Sequence, residues 1–399
     1  MTSHGDIEGL RLLGHSDLGG PGDGMQIMYA KNHLYVGRPS PGNPLLIVKV
    51  SDPANPVLVG EVPPFPGTWI AKSQIYGDLL LVNYEQKRDL NPKGRTGWGV
   101  FDVSIPSTPR EISFVNTGGR GIHRMWWAGE RYCYMSARPE GFGGRMLQIY
   151  DLNAPENPEL VGQWWSPGLW KAGGEGEQIP RNNGALTQLH HGIHHEGKLY
   201  CGHGSAGMLI LNVEKPEKPE VVSELEWEAG QGGATHTTVP LPDRNLLAVV
   251  DEGLSYRPAG LYPADHLEYR AISVRPEPEN PKYLRIVDIA DERYPRELSK
   301  WRPDPDIFAK RPGRSGPHNL HENRPGTYKG EDLIFATFYN AGLQVLDISN
   351  PNKPKPKAHF IPKTDNKEGV WTNDLVVAED GRIFTTDRVG GGVHILELI

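Results

Sequence analysis

The sequence is short of cysteine, of long apolar runs and of any excess of basic charge. Cys133 and Cys201 are its only two cysteines, too few to staple a secreted fold. Each follows a tyrosine, so the pair reads as reduced core thiols of neighbouring repeat units, which suits a cytoplasmic protein. No stretch approaches the roughly 18 apolar residues that a membrane span requires. The opening Met1-Thr-Ser-His-Gly-Asp lacks the basic start and apolar run of a secretory leader. A formal net charge of −7 excludes a broad basic surface, so neither nucleic acid nor an anionic membrane is expected as a partner. A nucleotide-binding glycine loop, a CxxC pair and a Ser–His–Asp arrangement are also missing. The partner left to expect is a small molecule, and no feature speaks to oligomeric state.

What the chain has is turns. Its 48 glycines and 36 prolines are spread evenly, and only 37% of residues are hydrophobic, the composition of many short strands joined by tight connections. One phrase recurs: an apolar strand, an acidic or polar turn, then a proline pair. It runs Leu46-Ile-Val-Lys-Val-Ser-Asp-Pro-Ala-Asn-Pro56 and Gly99-Val-Phe-Asp-Val-Ser-Ile-Pro-Ser-Thr-Pro109. Further copies begin at Leu147, Leu209, Leu284 and Leu343, and a seventh, Val393-His-Ile-Leu-Glu-Leu-Ile399, stops before its proline turn. Proline fixes φ and supplies no amide hydrogen, so each pair ends one strand and sets the turn to the next. A short strand follows each pair, and two more precede each phrase. Four antiparallel strands per unit of about 50 residues make a propeller blade.

On these phrases the chain resembles the LVIVD-repeat β-propeller family along essentially its whole length. The expected fold is all-β, a single seven-bladed propeller over residues 1–399. The strand missing from the last copy is found at the other end, where Ile7-Glu-Gly-Leu-Arg-Leu-Leu-Gly-His15 looks like an outer strand and would close the ring without leaving a sheet edge.

Aligning the inner strands on the turn that follows them gives one residue per blade near the axis: Gln26, Ala71, His123, His191, His236, His318 and Asn373. Four consecutive blades thus offer histidine at one position, with His190 in place of His191 if the alignment slips by one residue. Neutral imidazole is a common ligand of first-row metals, and four of them leave open positions on an octahedral ion. The expectation is a divalent metal held by His123, His191, His236 and His318, iron(II) first, with manganese or zinc as alternatives. A metal-bound histidine needs an acceptor for its other ring nitrogen, for which Asp251, Glu252, Glu322 and Asp374 are candidates. Residues that could move protons or support the ligands are His321, Glu322, Asp251, His195 and His203.

The connections on the same face as these strand heads hold the long insertions, 166–189, 252–282, 303–317 and 361–372. With the strand ends beside them they carry Trp165, Trp170, Tyr256, Tyr262, Tyr269, Phe308 and Trp371, which suggests a lid over a pocket. An axial four-histidine arrangement resembles that of the carotenoid-cleaving oxygenases, which implies oxidative cleavage of a small aromatic or apolar substrate. A manganese or zinc lyase or hydrolase, similar to the oligogalacturonate lyases, is the second reading, and a propeller scaffold without chemistry the third.

Overall fold

The computed structural model describes residues 5–20, 22–86, 95–184, 187–253, 281–308 and 311–399. Its strands form seven sheets, each led from the axis by the strands upstream of one repeated phrase. The phrase itself is the third strand of its blade, as in Leu45–Lys49, Gly97–Asp102, Met146–Asp151 and Met208–Asn212. Leu284–Asp288, Leu343–Asp347 and Val393–Leu398 complete the seven. These strands read as continuous apolar runs because a blade is buried on both faces. Residues Leu45, Leu46, Ile47 and Val48 are all at most 3% exposed, and the hydrophobic clusters lie between adjacent blades. One joins Ile27, Leu34 and Val48 of blade 1 to Val376, Phe384 and Ile395 of blade 7.

The acidic residue in the phrase has a local task. Asp102, Asp151, Asp288 and Asp347 each accept a hydrogen bond from the amide two residues on, at 2.8–2.9 Å, which closes the turn into the outer strand. The prolines then form a seam. The carbonyl of a proline in one blade's turn abuts the outer strand of the blade before it. Ser113 and Ser299 donate to Pro155 and Pro351, both at 2.6 Å. At the same place Gly60 and Gly162 approach so closely that an added Cβ would sit 2.2 Å from the Pro106 oxygen and 1.7 Å from that of Pro216.

The N-terminal segment closes the ring. Leu10–Ser16 pairs antiparallel with Val393–Leu398, Leu10 opposite Leu398 and Ser16 opposite Val393. Gly14 continues the seam, its Cβ position 1.8 Å from the Pro53 carbonyl of blade 1. The outer strand expected over 7–15 is divided, however. Gly5–Glu8 joins the sheet of blade 6 as its outermost strand by pairing with Lys355–Pro362. The chain then crosses to blade 7 at Gly9, which has φ +65°.

Helix is confined, among the described residues, to the turns Pro305–Phe308 and Pro242–Arg244. No helix there is long and apolar enough to cross a membrane. Both cysteines are buried and unpaired.

Candidate metal centre

The inner strands begin at the face that bears the long connections, and their heads are polar. Side chains there pass from blade to blade around the axis. Asn83 donates to the Ile122 carbonyl at 2.9 Å, Ser136 to Leu189 at 2.9 Å, and Thr337 to Asn373 at 3.1 Å. The inner strands of blades 3, 5 and 7 carry a β-bulge at the residue nearest the axis. Register shifts fall between Ile122 and Arg124, Thr235 and Thr237, and Thr372 and Asp374. A bulged residue leaves the ladder and its side chain is re-aimed, which turns His123 and His236 into the channel.

There the rings of four histidines meet in sequence. His123 lies 4.9 Å from His190, His190 3.6 Å from His236, and His236 4.4 Å from His318, centroid to centroid. His190, His236 and His318 are 1–6% exposed, and His123, with 16% of its side chain exposed, is the member nearest solvent. The outer nitrogen of each ring faces an acceptor. Nδ1 of His123 is 3.0 Å from the Glu85 carboxylate, Nδ1 of His190 3.1 Å from the His236 carbonyl, and Nδ1 of His318 2.5 Å from the Asn373 carbonyl. Nδ1 of His236 is 2.8 Å from the Thr237 hydroxyl, which lies within donating distance (3.3 Å) of Asn319 Oδ1. Carbonyls and carboxylates only accept, so in the neutral rings of His123 and His190 the proton sits on Nδ1 and Nε2 keeps its lone pair, whereas His236 Nδ1 meets a hydroxyl and His318 Nδ1 also meets the Asn319 amide nitrogen at 3.0 Å. Two such lone pairs, those of His123 and His190, confront each other at 3.1 Å.

Burial pushes His190, His236 and His318 well below the ordinary imidazole range. It lowers His123 as well, against the pull of Glu85. Neutral rings able to donate a lone pair are therefore the resting state at neutral pH. At the far end of the row stands Glu252. Ligand atoms of His236, Glu252 and His318 all lie within 4.8 Å of one another, and Glu252 Oε1 is 4.0 Å from His318 Nε2. Burial works to raise the Glu252 carboxyl, but Arg314, His318 and Arg388 outweigh it and hold it at about 2. Arg314 Nη2 donates to Oε1 at 2.7 Å. Tyr339 stacks 4.8 Å from His318 and Trp371 packs edge-on to Tyr339 at 6.2 Å, giving this end an aromatic wall.

The structure brings His123, His236 and His318 together as the spacing suggests, but their fourth partner is His190 and not His191. The reason is the hairpin turn. Blade 4 turns through two residues, Glu196 and Gly197, both at positive φ, with His195 paired to Lys198. Blade 3 pairs Trp126 with Tyr134 and so turns through seven residues. Counting back from the glycine therefore lands one residue off, and in a strand one residue reverses the side chain. His191 lies one step down the axis, its Nδ1 3.5 Å from Glu322.

The other predicted residues divide. Glu322 is on the axis below the cluster, 3.4 Å from both Arg124 and Arg324. Asp374 is there too, accepting from the Ile27 and Leu375 amides at 3.4 and 2.9 Å. Four candidates fall elsewhere. Asp251 is committed to a buried ion pair with Arg285 at 2.5 Å. His203 contacts the Ser166 hydroxyl at 2.6 Å and anchors a loop. His321 is held between the Tyr328 carbonyl and the Val377 amide, at 2.8 and 3.2 Å. His195 ends its strand at the opposite face, beside Glu196. Of the expected lid, Tyr256, Tyr262 and Tyr269 lie outside the described residues. Trp165 and Trp170 pack on each other at 5.7 Å, and Trp165 on Phe142. Phe308 packs against Arg311.

The class these features define is a seven-bladed β-propeller with an axial histidine cluster at its loop face. The LVIVD repeat model matches residues 21–63 and 332–360, so the propeller carries LVIVD repeats in blades 1 and 6. No curated protein matches it in sequence. Among solved structures it is similar to the β-propeller domain of Cps50 (Swd1) from Myceliophteria thermophila, at 9% identity and a TM-score of 0.55, over 99% of this chain and 100% of that one. It is also similar to a chain of the mitotic checkpoint complex, at 10% identity and a TM-score of 0.57, over 100% and 96%. The computationally designed Ika8 protein shares 8% identity and a TM-score of 0.53, over 97% and 99%. At such identities the likeness is one of fold alone.

Proposed function

We propose that His123, His190, His236 and His318 bind a divalent first-row metal, iron(II) foremost, and that the protein is a metal-dependent enzyme for a small aromatic or apolar substrate entering from the loop face. One observation carries this reading. Nδ1 of each ring lies against a neighbouring oxygen, which leaves Nε2 as the available ligand atom, and those of His123 and His190 meet at 3.1 Å. Between neutral rings such an arrangement is repulsive, and a cation resolves it. Fixing the ring tautomer by an outer acceptor is also how proteins orient metal-binding histidines.

An all-nitrogen set with a carboxylate at one end suits iron(II), manganese or zinc. Four imidazoles leave positions open for substrate. Glu85 and the two carbonyls hold the rings in place, and Glu252 with Arg314 sets the charge at the other end of the row. Trp371 and Tyr339 offer an apolar wall that excludes water. Oxidative cleavage of a carbon–carbon double bond is the reaction we favour. One dioxygen and one double bond yield two carbonyls, so no further reductant is needed. The ion would supply a redox-active centre for dioxygen. Recovery of manganese or zinc alone would favour a lyase or hydrolase instead.

The test is elemental analysis of protein purified without a histidine tag. Alanine at position 123, 190, 236 or 318 should lower metal content at least about tenfold, while His191→Ala, His15→Ala and His359→Ala retain it. A parent protein that takes up no iron(II), manganese or zinc removes the reading and leaves the binding scaffold in its place.

A further inference from the structure

Each axial histidine, like Ala71 and Asn373 at the same position in other blades, is followed in sequence by a residue of a second layer, one step further from the loop face. That layer holds Lys72, Arg124, His191, Thr237, Asn319 and Asp374, all at most 4% exposed. Contacts link it across the axis. Arg124 reaches across the axis from blade 3 to blade 6, its Nη2 3.1 Å from Asn319 Oδ1 and 3.4 Å from Glu322 Oε1. Thr237 lies 3.3 Å from the same Asn319 oxygen, and Arg324 lies 3.4 Å from Glu322.

The donors here exceed the acceptors. The carboxylates beside Lys72, Arg124 and Arg324 are Glu322 and Asp374, with Glu252 also acting on Lys72, and Arg324 is further satisfied by Gln74 Oε1 and the Trp127 carbonyl. Lys72 Nζ has no hydrogen-bond partner among the described residues, and neither do Arg124 Nε and Nη1. An ammonium taken out of water with nothing to pair it is among the costliest groups a protein can bury. Burial and the adjacent Arg124 push Lys72 down to about 7, only partly offset by Asp374. Proteins keep such groups where a ligand completes them.

We propose that Lys72 and Arg124 form a binding site for a compact carboxylate on the propeller axis, directly beneath the histidine cluster. The free donors are an ammonium and two guanidinium N–H groups, which match the several lone pairs of an oxyanion. The site lies within the field of the cluster, since Lys72 influences His123, His236 and His318 alike. A substrate whose acid end sat here would present its remaining atoms to the row of Nε2 atoms. That assignment of the carboxylate to a substrate rests on the metal-enzyme reading above, whereas the binding site does not.

Thermal melting and calorimetric titration of the metal-stripped full chain with formate and with benzoate, against chloride at equal ionic strength, test the site. The parent should show a saturable carboxylate-dependent rise in Tm. Lys72→Met and Lys72→Gln should weaken carboxylate binding at least about tenfold, the cost of losing a charged hydrogen bond. Without carboxylate, both variants should melt no lower than the parent, because an uncompensated buried cation has gone. Tighter binding of benzoate than formate assigns the carboxylate to a larger substrate, and equal binding assigns it to a small free acid. The inference is overturned if carboxylates act no differently from chloride, if both variants keep the response, or if both melt far below the parent. His236→Ala should retain the carboxylate response, so loss of the metal site and loss of this one are read separately.

Discussion

A neutral imidazole sealed inside a protein stores a dependence on acidity, and two histidines away from the axis show it most simply. Burial lowers His203 to about 3 and His321 to about 4, whereas both titrate near 6.5 once unfolded. Above pH 6.5 neither state binds the proton and the groups contribute nothing. Below it the unfolded chain takes up protons that the native rings refuse, so stability falls with pH until the native values are reached. At pH 5 each contributes about 2 kcal/mol of lost stability by this arithmetic. The melting temperature should therefore drop steeply between pH 6.5 and 5. His203→Gln, which can keep the contact to Ser166, should make that slope shallower by about one proton. An unchanged slope in the variant would mean that His203 is protonated in the native protein. The same two residues show what spacing cannot convey. Both stand near the loop face in sequence, yet each is consumed by a local hydrogen bond that only the folded turns create. Glu85 was illegible for the converse reason. It ends a second strand, in the row that Arg138 and Glu252 occupy in other blades, and nothing in its neighbours announces the contact to His123.

At the scale of elements, the four-strand phrase was readable because each part has a physical duty that fixes its residue type. The apolar run is buried on both faces, the acid closes the turn and the proline carbonyl forms the seam. The heads of the inner strands were readable only to within one residue, since bulges and hairpin turns of different length change the count without changing composition. Loops carry still less. The segment 166–189 is expected to cover the cluster, but its part from Ser166 to Gly184 is organised around Glu175. That carboxylate accepts from Trp165 Nε1 at 3.1 Å and from the Gly168 and Trp170 amides at 2.8 and 3.0 Å. Glu175→Ala should free the loop from its own centre, with faster proteolysis between residues 168 and 184 and a red-shifted tryptophan emission. Metal content should be unaffected, because no axial histidine touches this loop's centre. Unaltered cleavage rates would show that other contacts hold the loop.

The whole molecule is a ring, and a ring has one joint that the chain must close for itself. Here the joint is Leu10–Ser16 against Val393–Leu398, and it differs from the other blades only in joining distant parts of the sequence. Leu10 is buried with Leu343, Val345 and Leu396 between blades 6 and 7, and Gly14 fits against Pro53 as Gly60 fits against Pro106. Among the described residues, deleting residues 1–8 removes the outermost strand of blade 6, Gly5–Glu8, and exposes an outer edge that the remaining blades also present. Deleting residues 1–16 takes the fourth strand from blade 7, opens the seam to blade 1 and leaves an unpaired apolar edge. The first truncation should cost little, and the second should lower Tm by about 10 °C or more and promote aggregation. A point substitution isolates the seam from the strand. Gly14→Val drives a side chain into the Pro53 carbonyl and should destabilise the protein in the same direction as the longer truncation. Gly20→Val, where an added Cβ meets nothing within 4 Å, should leave it unchanged. Calorimetry on the four variants orders them, and a longer truncation as heat-resistant as the parent would place the closure of the ring elsewhere.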